Sequence, residues 1–228
     1  MKSYGQFCPV AQTLEIVGER WTLLIVRELL CGSRRFSELH RGVPLMSRTM
    51  LSSRLKSLED AGLVAREARG TGKNLDYVLT QAGKELKPIV VQFGEWGQRW
   101  ARREVRSENM DAGLLMWDIR RNINMDALPG ASTVAEFRFR GADRGKGHFW
   151  LILKGDDVDL CLTNPGQEVD LIIRTHIKTM TQVWMGDLQI AAALKSGKIK
   201  LDGPSKLQRA FPGWLGLSLF AAVPRPAA

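Results

Sequence analysis

The chain has 228 residues, 44% hydrophobic and 25% charged, enough to bury one large or two ordinary cores without a disulfide or metal staple. Its three cysteines form no CxxC pair and its three histidines lack ligand spacing, so no disulfide framework, metal site or cofactor is expected, and a reducing cytoplasm is the expected location. The net charge of +9 is uneven: residues 1–106 carry 18 Lys and Arg against 11 Asp and Glu, and residues 107–228 carry 15 against 13, so the first half suits a polyanion and the second does not.

Residues 8–17, CPVAQTLEIV, put Pro9 at a helix start with Val10, Leu14 and Val17 as its apolar positions, and Gly18 ends the segment. Residues 20–30, RWTLLIVRELL, are apolar nearly all round, which predicts a helix central to a small core, stopped by Gly32. Cys31 reads as a core residue, as does Cys161 later in the chain. Arg34 and Arg35 lead into a helical turn with Phe36 and Leu39 on one side. Pro44 breaks the chain, and Ser47 is a good N-cap for a helix reaching about Ala61.

On that helix Leu51, Leu55 and Leu58 share a face, Thr49, Ser52, Ser53 and Lys56 occupy the opposite one, and Arg48 stands near the leading end. Short hydroxyls and cations on a solvent side can approach base edges and phosphates. An ordinary solvated helix face has the same composition. Gly62 closes the helix, LVARE reads as a strand, RGTGKN as a turn, and LDYVL as a second strand with Leu75, Tyr77 and Leu79 on one face. A hairpin directly after a candidate recognition helix, with Arg69 and Lys73 at its tip, is a wing able to reach phosphate. Gly72-Lys73 makes no phosphate loop, because Glu67 stands where the first glycine is needed and no Ser or Thr follows the lysine.

From CPV through GERWTLLIVRELLCGSRRFSELHRGVP to SRTMLSSRLKSLEDAGLVARE, residues 8–80 resemble the HxlR-type winged helix-turn-helix transcription regulators. Glu19 departs from the pattern, which has glycine and lysine more often before the tryptophan. The resemblance implies a homodimer on double-stranded DNA whose first and last helices form the dimer contact. Within it, Arg48, Thr49 and Ser52 are the candidates for base contact; Arg34, Arg35, Ser47, Ser53, Lys56, Arg69 and Lys73 are the candidates for the DNA backbone. After Thr80, Leu86, Phe93 and Trp100 recur every seven residues with Ile89, Val90 and Trp96 between them, and Pro88 predicts a break or a late helix start. With Val10 and Leu14 this stripe is the expected dimer interface; packing on the chain's own second domain is the alternative. Two copies would read an inverted repeat about one helical turn between centres.

The run ARREVRSEN marks a change of pattern, giving a DNA-binding and dimerisation domain over 1–106 and a second domain over 107–228, together an α+β chain. A helix over 111–123 precedes four strands, VAEFRFR, HFWLILK, VDLCLT and VDLIIR; in the first, Ala135, Phe137 and Phe139 alternate with Glu136, Arg138 and Arg140, the mark of one wet face. Short Gly- and Asp-rich links predict an antiparallel meander. Helices IKTMTQVWMG and LQIAAALKSG, a strand KIKLDG and a last helix PSKLQRAF complete the order. With Trp184, Gly186, Gly197 and Gly203 in sequence, residues 107–215 resemble the sterol carrier protein-like domain, which implies a sheet and helices around an apolar lipid-binding cavity. Met180, Trp184, Phe211, Trp214 and Leu215 are either the lining of such a pocket, open to an apolar, lipid-like effector, or plain core.

The longest apolar run, Trp214 to Val223, is too short to span a bilayer, and no nucleophile motif appears, so neither a membrane span nor an enzyme is expected. A ligand-responsive transcription regulator is the reading that uses most of the chain. The alternatives are a lipid carrier or accessory protein that dimerises through its winged helix, and a thiol sensor through Cys8, where a helix start can lower a thiol pKa. Cys8 as a small buried hydrophobe competes with that last role.

Overall fold

The structure, a computed structural model, describes residues 3–68, 75–101, 110–143 and 145–224. They group into two compact units, Met1–Trp96 and Gly97–Ala228. The position 106/107, where the sequence suggests a boundary, falls outside the described residues.

The first unit runs α1 (Pro9–Val17), α2 (Thr22–Leu30), α3 (Phe36–Gly42), α4 (Arg48–Asp60), β1 (Val64–Ala68), β2 (Leu75–Leu79), α5 (Gln81–Glu85) and α6 (Lys87–Trp96). The apolar α2 is central as its composition predicts: Ile25 and Val26 are fully buried in a core shared with Leu39, Leu51, Leu55, Leu58 and Leu79. It begins at Thr22 and not at Arg20, because Trp21 adopts a left-handed backbone with φ 80°. Gly62, at φ +70°, turns the chain from α4 into β1: its N–H donates to the Glu59 carbonyl and the Leu63 N–H to the Leu58 carbonyl, a Schellman closure that a Cβ would strain. β1 and β2 pair antiparallel with Val64 opposite Leu79 and Arg66 opposite Tyr77. Of the three apolar residues expected on one face of β2, Leu79 is buried and Tyr77 half-buried, but Leu75 is exposed. Pro88 sits in the first turn of α6, where its missing N–H costs nothing, so the helix starts late as expected.

Two expectations are corrected here. Leu86 is 8% exposed and packs in the unit's own core, so it is not part of an outward stripe. A seven-residue period marks burial without saying against what. Trp100, by contrast, is exposed, in a π-helical turn, Gly97–Ala101, of the second unit, and its place in a dimer interface stays an expectation. Cys31 is exposed and Cys161 half-buried, so neither is a core residue; Cys31 ends α2 on the solvent side.

The second unit continues with α7 (Ala112–Arg120), β3 (Ser132–Arg140), β4 (His148–Lys154), β5 (Asp157–Cys161), β6 (Leu171–His176), α8 (Ile177–Trp184), α9 (Ile190–Lys195), β7 (Ile199–Asp202) and α10 (Ser205–Trp214). The sheet is mixed, in the order β5-β4-β3-β6-β7. β3, β4 and β5 form the expected antiparallel meander, but β6 crosses to lie parallel to β3. Asp170 fixes that crossing: its carboxylate accepts the Val134 N–H at 2.8 Å and its own N–H donates to the Val134 carbonyl at 2.9 Å. One sheet face, with Ala135, Phe137, Leu151, Leu171 and Ile173, shares a core with α7, α8 and α10. The other face is not evenly wet, because Glu136 on it is only 4% exposed. The last helix outruns its sequence expectation, carrying Pro212 in its final turn and ending at Trp214.

Met180, Trp184, Phe211, Trp214 and Leu215 are all buried side chains of this core, with the Phe211 and Trp214 rings edge to face at 5.0 Å. They fill space and line none of the clefts described below. Among the described residues, no helix is long and apolar enough to cross a membrane, and no cluster of three His, Cys, Asp or Glu could hold a metal ion.

Candidate nucleic-acid interface

α4 is anchored from one side and open on the other. Leu51, Leu55 and Leu58 are 0–1% exposed, each contributing about 1.5–3 kcal/mol by burial, while Arg48, Thr49, Ser52, Ser53 and Lys56 are exposed. Ser47 caps the helix with its hydroxyl accepting the Met50 N–H at 3.2 Å, worth about 1 kcal/mol. That hydroxyl is engaged in the helix, which limits what Ser47 can offer a backbone phosphate. No acidic residue occupies the first turn of α4, so its positive dipole end stands uncompensated beside Arg48, an arrangement favourable to phosphate.

The helix is held in place by pairs that sequence reasoning missed. Arg54, on its flank, is ion-paired with Glu19 of the α1–α2 turn. Arg66 of β1 reaches Glu59 near the end of α4 at 2.6 Å and lies over the Tyr77 ring at 5.2 Å, so the hairpin is fastened to the helix. Glu59 beside it raises the Arg66 pKa above its ordinary value, keeping the guanidinium charged. The Tyr77 N–H donates to the Arg34 carbonyl at 2.8 Å and so ties the hairpin to the entry of α3. The only sequence signal for the first pair was the unusual acidic residue at 19.

Arg34 and Arg35 are exposed at the start of α3, and the Glu38 carboxylate accepts both their backbone N–H groups at 2.9 and 3.0 Å. The same carboxylate lies 3.7 Å from the Arg35 guanidinium, so Arg35 offers a phosphate less net charge than Arg34. Arg69 and Lys73 lie outside the described residues.

A second feature of this unit is an apolar cleft of ≈ 550 Å³ formed by α1, α2 and α6, with Val10, Leu14, Leu24, Ile89 and Phe93 among its walls. Val10 is 66% exposed, Phe93 61% and Trp96 62%; Leu14 and Ile89 are exposed to a lesser degree, and Val90 is half-buried against the core. Large apolar side chains exposed together mark an association surface. Cys8 is half-buried at the start of α1, and the Ala11 and Val10 N–H groups there hold its thiol below the ordinary value.

The geometry agrees with what comparison finds. The model of the HxlR-like helix-turn-helix family matches residues 16–105. The uncharacterized HTH-type transcriptional regulator YvaP of Bacillus subtilis is 40% identical over 98 residues, covering 42% of this chain and 91% of that protein. A second one, YybR of the same organism, is 35% identical over 109 residues, covering 47% of this chain and 86% of that protein. Among solved structures, the reduced form of the transcriptional regulator YodB from B. subtilis is 29% identical, with 42% of this chain and 97% of that chain covered, at a TM-score of 0.37. With YvaP matched over nearly its whole length, the chain belongs, through its first unit, to the HxlR-like helix-turn-helix family of transcriptional regulators.

Proposed function

We propose that the protein regulates transcription as a homodimer on an inverted repeat, with α4 of each copy in the major groove. The observation that carries this reading is the exposed row Arg48, Thr49, Ser52, Ser53 and Lys56 on a helix whose opposite face is locked into the core. Arg48, Thr49 and Ser52 face bases; Arg34, Lys56 and the helix start contact phosphate, with Arg35 and Ser53 beside them. The cleft between α1, α2 and α6, with Val10, Leu14, Ile89, Phe93 and Trp96 exposed at it or near it, receives the second copy. Selection of bound duplexes from a random pool tests this: two half-sites of opposite sense about one helical turn apart are expected, and a single unpaired site would overturn the homodimer. Arg48→Ala should cost about 1–3 kcal/mol and relax one base position; unchanged preference would remove that assignment.

The second unit acts as the effector-responsive part. A sheet with helices on one face, and positive φ at Gly186, Gly197 and Gly203, support the sterol carrier protein-like reading. Because Met180, Trp184, Phe211, Trp214 and Leu215 are packed, an apolar effector must displace core side chains to enter among them. Extraction of co-purified small molecules, with duplex binding measured before and after their removal, tests for such an effector; unchanged DNA affinity argues against it.

A second reading rests on Cys8, whose lowered pKa and partial exposure fit a thiol that reacts with oxidants. Hydrogen peroxide should then change duplex affinity in the wild type and not in Cys8→Ser; equal responses close this route.

A further inference from the structure

The register of the second unit's sheet sets four basic side chains in one row across four strands. His148 of β4 stands opposite Arg138 of β3, Arg138 opposite Arg174 of β6, and Arg174 opposite Lys200 of β7. Directly paired residues project from the same face with strands about 4.8 Å apart, and like charges in such positions, here Arg138, Arg174 and Lys200, destabilise a sheet. This row therefore breaks a local folding rule, and such violations concentrate at sites kept for function.

Two carboxylates offset the row in part. Glu136, buried, accepts from Arg138 Nε and Nη2 at 2.8 and 2.7 Å and lies 3.3 Å from His148 Nδ1. Asp202 accepts from Arg174 at 3.1 Å. Among the described residues, the side chains of Arg140 and Lys200 have no hydrogen-bonding or ion-pairing partner, though both backbones are paired in the sheet. Arg138, Arg140, His148, Arg174 and Lys200 line a single cleft of ≈ 300 Å³, together with Phe139 and Gly197. Glu136 aligns the Arg138 guanidinium, so part of the site is preorganised before any ligand arrives.

We propose that this cleft is a binding site for a small molecule bearing a phosphoryl group, held by Arg138, Arg140, Arg174 and Lys200. Its concavity and its volume, at the lower end of the range for small-ligand sites, favour such a group over a duplex, which needs an extended convex contact. A bound dianion also removes the repulsion along the row, so binding and folding stability are linked. The cleft belongs to the second unit and α4 to the first, and the proposal stands whether or not the DNA reading holds.

The test titrates the full chain with inorganic pyrophosphate by calorimetry and follows its melting temperature. The wild type should bind and melt higher with the anion. The variant Arg174→Gln/Lys200→Gln should bind at least about tenfold more weakly, since each charge-assisted hydrogen bond is worth that much, and should melt no lower than wild type when no anion is present. Lys154→Gln/Lys195→Gln, with the same change in net charge outside the cleft, should bind as wild type does. No binding by the wild type, or equal loss in both variants, overturns the proposal. Phosphatidylcholine vesicles with and without phosphatidic acid distinguish the source: capture that needs phosphatidic acid and is lost in Arg174→Gln/Lys200→Gln makes the group a lipid headgroup, and pyrophosphate binding without capture makes the ligand soluble. If that variant instead weakens duplex binding while the wild type ignores pyrophosphate, the cleft is a nucleic-acid contact and the proposal fails.

Discussion

Gly42, the last residue of α3, has no room for a side chain. A Cβ built there falls 1.9 Å from Cδ and Oε2 of Glu28, a fully buried carboxylate on α2. Glu28 accepts from the Arg27 guanidinium at 2.7 Å and from the Ser33 hydroxyl at 3.3 Å. Gly42→Ala must push it away from these donors. Overpacking costs about 1–3 kcal/mol, and weakening bonds to a buried charge costs about 1.5–3 kcal/mol. Alanine returns about 0.5–1 kcal/mol of helix preference. The expected net loss is about 2–4 kcal/mol, felt first where α2 meets α3. Hydrogen exchange of the α2 and α3 amides reads this local opening in the full chain. In a Glu28→Ala background the obstacle is gone, so Gly42→Ala should there be neutral or slightly stabilising, giving a coupling of about 2 kcal/mol or more. An equal cost in both backgrounds would refute the reasoning, because the carboxylate would not then occupy the space beside Gly42.

Phe93→Asp places a charge in the apolar cleft; in a symmetric contact the loss of about 1.5–3 kcal/mol of burial counts twice, so sedimentation should show monomer, and a persisting dimer would place the interface elsewhere. Lys56→Gln should weaken binding to all duplexes alike and lower the slope of log affinity against log salt by about one, and an unaltered slope would exclude a phosphate contact. Burial works to raise the Glu136 pKa, but the hydrogen bond and charge of Arg138, with His148 adding to them, outweigh it and hold the carboxyl below its ordinary value. A depressed folded pKa adds stability that is present above the unfolded value and lost as pH falls through the folded one. Glu136→Gln should therefore cost about 1–2 kcal/mol at neutral pH, with the deficit closing below about pH 4 in acid-titrated unfolding; a deficit constant with pH would contradict the pairing.

The reading helix was legible because its signals are local: the leucines at 51, 55 and 58, the cap at Ser47 and the stop at Gly62 all lie within one short segment. Strand alternation likewise marked Ala135, Phe137 and Phe139 as inward. Neighbour relations were not legible. Alternation assigns faces but cannot say that β6 lies beside β3, and nothing local joins Glu19 to Arg54 or sets Arg138, Arg174 and Lys200 in one row. Hydrophobicity also cannot separate roles that share it. Leu86 and Phe93 stand seven residues apart in one stripe, yet one closes the unit's own core and the other faces outward; Met180 and Trp214 read equally well as pocket or filling until the packing is seen.

Glu19 is both a wall of the cleft between α1, α2 and α6 and the partner of Arg54 on α4. A single carboxylate is thus a joint between the surface where a second copy is expected and the middle of the helix expected to read bases. Replacing it with alanine would make the cleft more apolar while releasing Arg54, a side chain whose Nε is buried without a hydrogen-bond partner. One substitution would then be expected to act at two surfaces at once, the cleft and the reading helix.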